Sequence, residues 1–281
     1  MIPKVSVIIP NFNNGIYIKE AIQSCLNQTL PIYEIIIVDN FSKDSTHTIV
    51  NKFQQNHKNI YFYKYKNYGI VANSRNFGIR MSKGNIVAFL DSDDYWLENK
   101  IQECILLIKN GYDMVCHPMI NQKKYPHLNS RINFIDVYSN PNIIIPSSIV
   151  IKKNNMSPFE FTNNIRYNTS EDYFYILNLL LNKKKIFFIN KKLSFYRLHS
   201  NNLSKRVYRQ YLAELNTIKY YFKLNSEKKI ISYKIYCKRI ARLYFSKSKY
   251  YFFNKKLYFA KKNLKLFLYF YSKSLIFKNI F

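Results

Sequence analysis

Short runs of β-branched and other apolar residues alternate with helical patterns through the first 120 residues of the chain. Strands are predicted at Val5–Ile9, Ile35–Val38, Ile60–Tyr63, Ile86–Leu90 and Met114–Cys116. Helices are predicted at Ile16–Asn27, from Ser45 to Asn56, at Val71–Met81 and at Leu97–Lys109. Such alternation is typical of βαβ units, in which crossover helices join parallel strands. The sequence therefore predicts an α/β fold with a mostly parallel central sheet.

The middle of the chain is less regular, because five prolines interrupt residues 118–168. A strand at Ser147–Ile151 is predicted within this stretch. A helix at Glu171–Leu181 and a strand at Ile186–Ile189 follow it. These elements continue the α/β pattern to about residue 205.

Helical periodicity continues from about residue 206 to the end of the chain. Apolar residues follow a 3.6-residue period on either side of Asn254, which predicts a helical hairpin with its turn near that residue. Two domains are therefore predicted. Residues 1–205 form the α/β domain, and residues 206–281 form a basic, aromatic-rich helical extension.

The chain carries a formal net charge of +28, and this charge is unevenly distributed. Residues 1–200 contain 24 basic and 14 acidic residues, a net +10, whereas residues 201–281 contain 20 and 2, a net +18. The second segment also holds 21 of the 49 aromatic residues. Such a segment predicts a polyanionic partner, either a nucleic acid or an anionic membrane surface. Hydrophobic residues make up 48% of the chain, which excludes a disordered protein.

The sequence predicts a protein of a reducing compartment that does not span a membrane. Its four cysteines, Cys25, Cys104, Cys116 and Cys237, have no CxxC spacing, which favours buried free thiols over a zinc or disulfide framework. The closest approach to an apolar span, residues 264–281, is interrupted by three lysines. We therefore expect a cytoplasmic protein that can lie on a membrane surface.

Two polar clusters follow the first two predicted strands. The segment Pro10–Gly15, with the sequence PNFNNG, comes after strand one, and Asp39 and Asn40 end strand two. The carboxyl ends of parallel strands meet at one edge of a sheet, where ligands gather. Side-chain amides and a carboxylate there can hydrogen-bond a nucleotide base or a ribose. Each cluster also has a local alternative: an asparagine cap on the first helix, and a turn-forming Asp-Asn pair.

A third cluster, Asp91-Ser92-Asp93-Asp94, ends the fourth predicted strand. Three carboxylates in four residues repel one another unless a cation compensates their charge. Oxygen ligands suit Mg²⁺ or Mn²⁺, which also bridge the oxygens of a diphosphate. Alternation along an extended segment directs Asp91 and Asp93 to the same side. The alternative is an acidic helix N-terminus that Asp93 or Asp94 caps.

A fourth cluster, Ser170-Glu171-Asp172, opens a predicted helix. A carboxylate held there can act as a general base that takes the proton of an acceptor hydroxyl. The alternative is local: Ser170 caps the helix, and the two acids complement the helix dipole. The residues themselves leave both interpretations open.

The four clusters, taken in this order along the chain, resemble the family-two glycosyltransferases of the GT-A fold. The opening VSVIIPNFNNGIYIKEAIQSCLNQT is similar to the N-terminal signature of that family. NYGIVANSRNFGI and KGNIVAFLDSDD resemble its donor-binding middle, SEDYFYILNLL its acceptor-side helix, and FYRLH its late histidine motif. The resemblance covers about residues 3–205. It implies a Rossmann-like nucleotide-sugar-binding domain, as in enzymes of the bacterial surface-polysaccharide type.

The resemblance implies that seven residues bind the nucleotide sugar: Pro10, Asn11, Asn13, Asp39, Arg75, Asp91 and Ser92. Within this set, Asp39 would read a uracil-type base. For Arg75 the alternative is a salt bridge on a helix surface. The chain has Asp39-Asn40-Phe41-Ser42 where the family commonly has Asp-Asp-Gly-Ser, a departure that affects the base and ribose contacts.

The resemblance also implies the metal ligands and the catalytic residues. Asp91 and Asp93 would form the Asp-x-Asp pair, with Asp93 binding Mn²⁺ or Mg²⁺ on the diphosphate and Asp91 near the metal or the ribose. His199 would approach the same metal. Asp172 would be the catalytic base of an inverting transfer, and Glu171 is its alternate.

The predicted function is an inverting, metal-dependent hexosyl transfer from a nucleotide sugar, UDP-linked by resemblance, to a glycan or lipid-diphosphate-linked acceptor. The expected setting is bacterial O-antigen, lipopolysaccharide or capsule synthesis at the cytoplasmic face of the inner membrane. We expect residues 206–281 to contact the anionic membrane surface, with no nucleic acid as a partner.

Two other classes of protein are weighed against this function. The main alternative is a basic nucleic-acid-binding protein without catalytic activity, although no nucleic-acid-binding motif is present. A nucleotidyltransferase is disfavoured, because its triphosphate calls for a Gly-rich loop with a basic residue, and Asn11–Gly15 contains no basic residue.

Overall fold

A computed structural model describes residues 3–122, 125, 128–156, 160–199, 207–228 and 230–276 of the chain. The chain divides into two compact units, Met1–Asn202 and Leu203–Phe281. The domain boundary predicted at residue 205 lies outside the described residues, so it stays a prediction.

The first unit alternates strands and helices, as the sequence pattern predicts. Its strands are β1 (Val5–Asn11), β2 (Glu34–Asp39), β3 (Ile60–Lys64), β4 (Ile86–Phe89), β5 (Tyr95–Trp96), β6 (Met114–Cys116), β7 (Met119–Ile120), β8 (Ser130–Ile132), β9 (Val150–Lys152), β10 (Ile186–Phe188) and β11 (Ser194–Phe195). Its α-helices are α1 (Gly15–Leu26), α2 (Thr46–Asn56), α3 (Val71–Met81), α4 (Lys100–Lys109), α5 (Phe134–Ser139) and α6 (Glu171–Leu181).

Eight strands form one large sheet in the order β3-β2-β1-β4-β9-β6-β10-β8. β1 runs parallel to β2 and β4, β2 runs parallel to β3, and β6 runs parallel to β10. β9 is antiparallel to β4 and β6, and β8 is antiparallel to β10. Every residue of β1 and β2 is buried, as expected for strands covered on both faces. The predicted α/β fold with a mostly parallel central sheet is confirmed.

A small second sheet consists of β5, β11 and β7, with β11 in the middle. Each of these strands has two residues, which is too short for a periodic pattern, and the sequence predicted none of them. The predicted strand at Ser147–Ile151 is wrong at its start. Residues Pro146–Ser148 form a 3₁₀ turn, in which the proline ring fixes the first φ, and β9 begins at Val150.

The second unit consists, in its described part, of helices α7 (Val207–Lys228), α8 (Tyr233–Phe253) and α9 (Leu257–Ile276). α8 and α9 pack together as the predicted hairpin, and Asn254 is the C-cap residue of α8. The Ser248 hydroxyl donates to the Ala260 carbonyl at 2.9 Å, a contact that these small side chains allow. No helix in the described ranges is long and apolar enough to cross a membrane. All four cysteines are buried and free.

A buried carboxylate joins three segments at the amino end of the central strands. Glu34, the first residue of β2, is 2% exposed. Its Oε1 accepts hydrogen bonds from the Ser6 hydroxyl at 2.6 Å and from the N–H groups of Lys83 and Gly84 at 2.5 and 3.2 Å. Ser6 belongs to β1, and the other two donors lie between α3 and β4. One side chain therefore holds β1, β2 and the α3–β4 turn together.

Replacing Glu34 with alanine should lower the free energy of unfolding by about 2–3 kcal/mol, because the Ser6 hydroxyl and the Lys83 N–H lose an acceptor and the Gly84 N–H keeps only Ser6 Oγ. Glu34→Gln is the matched control, since its side-chain oxygen can occupy the position of Oε1, and its loss should be about 1 kcal/mol. Urea unfolding of both variants measures the difference. Equal losses would mean that the hydrogen bonds to Oε1 contribute little to stability.

Candidate active site

The carboxyl ends of β2, β1 and β4 lie side by side at one edge of the large sheet, because these three neighbours run parallel. The chain leaves β1 at Asn11, β2 at Asp39 and β4 at Phe89, so the first three polar clusters begin at this edge. Asn11 and Asp39 are direct partners in the β1–β2 register. In open sheets of this kind, ligands bind at this edge.

Asn11 and Asp39 form a buried hydrogen-bonded pair. The Asn11 Nδ2 donates to Asp39 Oδ1 at 2.8 Å. Ser42 donates to both carboxylate oxygens, through its hydroxyl at 2.5 Å and its N–H at 2.8 Å. A carboxylate only accepts, so the Asn11 amide must direct its nitrogen toward Asp39. Asn11 Oδ1 is then left buried, and no donor among the described residues hydrogen-bonds to it.

Asn13 shapes the loop that follows β1. It has a positive φ of 50°, a conformation that asparagine tolerates better than most residues. Its N–H donates to Ser42 Oγ at 2.8 Å, and its Oδ1 accepts the Lys43 N–H at 2.9 Å. Pro10 is buried within β1 itself. Asn13 therefore joins this loop to the loop after β2, whereas Pro10 is part of the strand.

The local alternative for the first cluster, an asparagine cap on α1, is confirmed in position only, because Asn14 is the N-cap residue of that helix. Asn14 precedes the helix but makes no side-chain cap, and the Asp44 carboxylate accepts the Gly15 N–H at 2.7 Å instead. Asn14 Nδ2 donates to Ser92 Oγ at 2.8 Å. This hydrogen bond joins the loop after β1 to the acidic loop after β4, so the first and third clusters are in contact.

The acidic segment after β4 does not cap a helix, because α4 begins only at Lys100. The alternative prediction of an acidic helix N-terminus is therefore wrong. Asp91 Oδ1 accepts from Arg75 at 2.8 Å, and Asp93 Oδ2 lies 2.7 Å from His199 Nε2. The two carboxylates of the predicted Asp-x-Asp pair thus have different partners, one a guanidinium and the other an imidazole.

Asp94, which the sequence analysis considered only as a possible helix cap, is 1% exposed. Its Oδ2 accepts from the Ser147 hydroxyl at 2.6 Å, and its Oδ1 accepts from the Arg197 N–H at 3.0 Å. Ser147 Oγ in turn accepts the Asp91 N–H at 3.0 Å. Burial, with the charges of Asp93 and Asp91, raises the pKa of Asp94 well above its usual value. Burial and then Asp91 also raise the pKa of Asp93.

Arg75 bridges the acidic loop to the start of α6. Its Nη2 donates to Asp91 and its Nη1 donates to Glu171 Oε1, at 2.8 and 2.7 Å. Arg75 is 3% exposed, so the alternative of a salt bridge on a helix surface is wrong. Burial by itself would lower the pKa of Arg75, but the charges of Asp91 and Glu171 outweigh it and raise that pKa above its usual value.

The two acids at the start of α6 differ in their surroundings. Glu171 is buried, and its oxygens accept from Arg75 at 2.7 Å and from the Thr169 N–H at 2.9 Å. Asp172 is half-buried, and burial, followed by the charge of Glu171, raises the pKa of Asp172 to about 7. Ser170 makes no side-chain cap, so that part of the local alternative is wrong.

The small sheet brings the late histidine motif to the acidic loop. β11 pairs antiparallel with β5, with Ser194 opposite Trp96. Continuing that register brings residue 197 opposite residue 93. Arg197 Nε accordingly donates to the Asp93 carbonyl at 2.9 Å, and His199 lies two residues further along. The sequence did not identify Arg197, although its place in the FYRLH segment, beside His199, was a signal.

Asp93 and His199 fit a divalent cation that is shared with a substrate. Among the described residues, no three His, Cys, Asp or Glu side chains form a group that could hold a metal ion. Mg²⁺ sites in phosphate-handling enzymes use one or two protein carboxylates and complete their coordination with substrate phosphates and water. A carboxylate and an imidazole on adjoining loops suit that kind of site, whereas Asp91 Oδ1 is engaged by Arg75.

Comparison with known proteins assigns the family. The family described as "Glycosyl transferase family 2" matches residues 6–214. This chain belongs to glycosyltransferase family 2. The family-2 chain is 30% identical over 260 residues to a GalNAc(5)-diNAcBac-PP-undecaprenol beta-1,3-glucosyltransferase of Campylobacter jejuni, covering 86% of this chain and 81% of that protein. It is 29% identical over 227 residues to WfaP of Escherichia coli, a UDP-Glc:alpha-D-GlcNAc-diphosphoundecaprenol beta-1,3-glucosyltransferase. This match covers 76% of this chain and 85% of WfaP.

A solved structure supports the same fold. The mannosyltransferase PcManGT of Pyrobaculum calidifontis, in complex with GDP-Man and Mn²⁺, superposes with a TM-score of 0.65 at 14% identity, covering 99% of this chain and 76% of that one. The predicted GT-A fold and the predicted family, of the surface-polysaccharide type, are confirmed. This family-2 glycosyltransferase takes its sugar from a nucleotide-sugar donor. Family membership favours the enzyme over the non-catalytic nucleic-acid-binding alternative.

Arg75→Met should lower the free energy of unfolding by about 3–5 kcal/mol at neutral pH, because Asp91 and Glu171 lose their counter-charge. Arg80→Met is the control on the same helix, since Arg80 pairs with Glu160 at an exposed site and should cost less than about 1 kcal/mol. Urea unfolding of both variants measures the two losses. Equal losses in Arg75→Met and Arg80→Met would mean that the buried ion pairs of Arg75 contribute little to stability.

Proposed function

We propose that this enzyme is an inverting glycosyltransferase that moves a hexose from a UDP-linked donor to a hydroxyl of a glycan or lipid-diphosphate-linked acceptor. The observation that carries the proposal is the Arg75 bridge, which holds the acidic loop and the start of α6 together. Because of this bridge, Asp93 and Asp172 belong to one site. The predicted ligand of the diphosphate metal and the predicted base thus act on the same reacting centre.

The donor base is assigned to the Asn11–Asp39 pair. Asn11 Oδ1 is a buried acceptor without a hydrogen bond from the described residues, and the uracil N3–H is a donor that would satisfy it. Leaving such an acceptor unpaired is unfavourable, so a base with a donor at this edge gains affinity. The name of WfaP gives UDP-Glc as its donor, whereas the PcManGT complex holds GDP-Man. Pro10, in the same strand, would position the base without a side-chain hydrogen bond.

The metal site is assigned to Asp93 and His199, with Mn²⁺ or Mg²⁺ as the cation. When bound, the cation would act as a Lewis acid that stabilises the negative charge of the departing nucleoside diphosphate. Arg75 neutralises Asp91 at the same time, which limits the repulsion between the two carboxylates. Ser92, held by Asn14, would contribute to the donor site from the same loop.

Asp172 is the proposed catalytic base. Glu171 has both oxygens engaged by Arg75 and Thr169, so it is the weaker of the two predicted bases and acts as a positioning residue. Asp172 would take the proton of the acceptor hydroxyl as that oxygen bonds to the anomeric carbon. The bond from this carbon to the diphosphate oxygen breaks on the opposite side, and the configuration inverts. The nucleoside diphosphate leaves with the electron pair of the broken bond.

The names of two relatives support the proposed acceptor. Both reported relatives are named for acceptors on undecaprenol diphosphate. We therefore propose a lipid-diphosphate-linked glycan as acceptor, in bacterial O-antigen, lipopolysaccharide or capsule synthesis, at the cytoplasmic face of the inner membrane. The net +18 of residues 201–281 supports contact with an anionic membrane surface.

A donor screen tests the function. The full chain is expected to release UDP from a UDP-hexose, faster when an undecaprenol-diphosphate-linked sugar is present, and to lose this activity in a chelator until Mn²⁺ or Mg²⁺ is restored. Asp93→Asn should lower turnover at least about a hundredfold, because the charge that the cation needs is lost. Glu160→Gln, at an exposed site, is the control and should leave turnover unchanged. Transfer from GDP-sugars and not from UDP-sugars would refute the assignment of uracil as the donor base. Full turnover in the presence of a chelator would refute the proposed metal site.

The pH profile tests the base. Because Asp172 acts only when deprotonated and its pKa is raised to about 7, kcat/KM should rise with pH and level off above that value. Asp172→Asn should remove this acid limb and lower kcat by about 10²–10⁴-fold. Glu171→Gln should lower activity and keep the limb. If the acid limb of the pH profile persists in Asp172→Asn, another group is the catalytic base.

A further inference from the structure

One face of α9 is apolar and exposed. Five side chains recur at steps of three, four or seven residues, which places them along a single side of the helix: Leu257, Leu264, Leu268, Tyr271 and Leu275. They are 41–57% exposed, and we call them the α9 stripe. Two buried residues of α9, Asn263 and Ser274, lie on another side, and the buried Ala260 lies at the edge of the stripe. Packing within the second unit therefore leaves the α9 stripe uncovered.

The turn between α8 and α9 continues this surface. All eight residues from 252 to 259 are exposed, and we call them the hairpin tip. Phe253 and Tyr258 are 79% and 73% exposed, and Lys255 and Lys256 lie between them. The Lys255 N–H donates to the Phe252 carbonyl at 3.0 Å, so the turn is hydrogen-bonded. Aromatic rings thus flank a pair of adjacent lysines on a hydrogen-bonded turn.

The charge around these residues has one sign. Residues 228–276 contain 14 lysines and arginines and no aspartate or glutamate. Glu214, an acid of α7, is already paired with the buried Arg239 of α8. Charge complementarity therefore favours an anionic partner for this surface. A second copy of the chain would bring the same uncompensated positive charge, with no acids to form the interhelical pairs that stabilise coiled coils.

We propose that the α9 stripe and the hairpin tip lie in the headgroup region of a membrane rich in anionic lipid. α9 has 20 residues and is about 30 Å long, and it combines the apolar stripe with lysines and aromatic rings, as interfacial helices do. Leucines along a helix face match an acyl boundary, whereas nucleic acids are bound by stacking and phosphate contacts. This inference rests on the proposed function, since a lipid-linked acceptor brings the enzyme to the membrane.

Vesicle binding of the full chain tests the stripe. The chain is expected to co-sediment with vesicles of phosphatidylcholine and phosphatidylglycerol and much less with phosphatidylcholine alone. Leu264→Ser with Leu268→Ser should weaken this binding at least about tenfold, because two half-exposed leucines no longer enter the bilayer. The control is Leu106→Ser with Ile165→Ser, which removes two exposed apolar side chains from the first unit.

The same assay tests the charge. Lys255→Gln with Lys256→Gln should weaken binding about thirtyfold, as expected for two basic residues at an anionic surface, and added salt should weaken the parent in the same way. Lys183→Gln with Lys184→Gln is the matched control. It also removes two adjacent lysines. The backbone at the first lysine of each pair is similar, because φ is 61° at Lys183 and 57° at Lys255.

Several results would overturn the inference. Equal binding to both kinds of vesicle, parent-like binding by the stripe and tip variants, or retention on RNA without binding to vesicles would each do so. So would a dimer of the parent, without vesicles, that Leu264→Ser with Leu268→Ser dissociates. UDP release with a water-soluble acceptor should be unchanged in all variants. If the parent shows no UDP release, the proposed function fails, and the vesicle measurements still decide the inference.

Discussion

The ion pairs of Arg75 are the contacts on which the site depends. A buried guanidinium is costly unless partners compensate its charge, and here two carboxylates do so. Asp91 lies 16 residues along the chain and Glu171 lies 96 residues along it. Because both must be present, the acidic loop and the start of α6 are held in one arrangement. The two ion pairs thus fix the distance between two parts of the candidate active site.

A second set of contacts positions the segment after β11, which carries His199, against the acidic loop. Asp94 accepts hydrogen bonds from Ser147 and from the Arg197 N–H, and β5 pairs with β11 immediately after it. The acidic loop is consequently held on both sides, by α3 through Arg75 and by the segment after β11 through Arg197. With Asp91 and Asp94 engaged in this way, Asp93 has His199 as its side-chain partner. Each of the three acids in this loop therefore has a different side-chain partner.

The sequence predicted the strand ends well and the contacts between them poorly. β1, β2 and β4 are fully buried, so their apolar runs are strong signals, and the parallel-sheet rule then brings Asn11, Asp39 and Asp91 to one edge. The partners of Arg75 were not predictable, because nothing along a chain specifies which distant carboxylate meets a buried cation. Short strands such as β5 and β11 depend on tertiary pairing, so no local sequence pattern predicts them. Ser147 was predicted to lie in a strand, because local pattern does not show the 3₁₀ turn that contains it. In that turn its hydroxyl donates to Asp94.

The second unit uses charge differently from the first. In the first unit, positive charges such as Arg75 are buried against specific carboxylates, so their contribution depends on geometry. In residues 228–276, 14 basic residues have no acids among them, and their mutual repulsion opposes compaction. Aromatic packing offsets that repulsion, as in the stacked Phe222 and Tyr236 rings, whose centroids are 3.9 Å apart. Such an excess of positive charge becomes favourable beside a negative surface, so the charge that weakens the isolated unit is the property on which the proposed membrane contact depends.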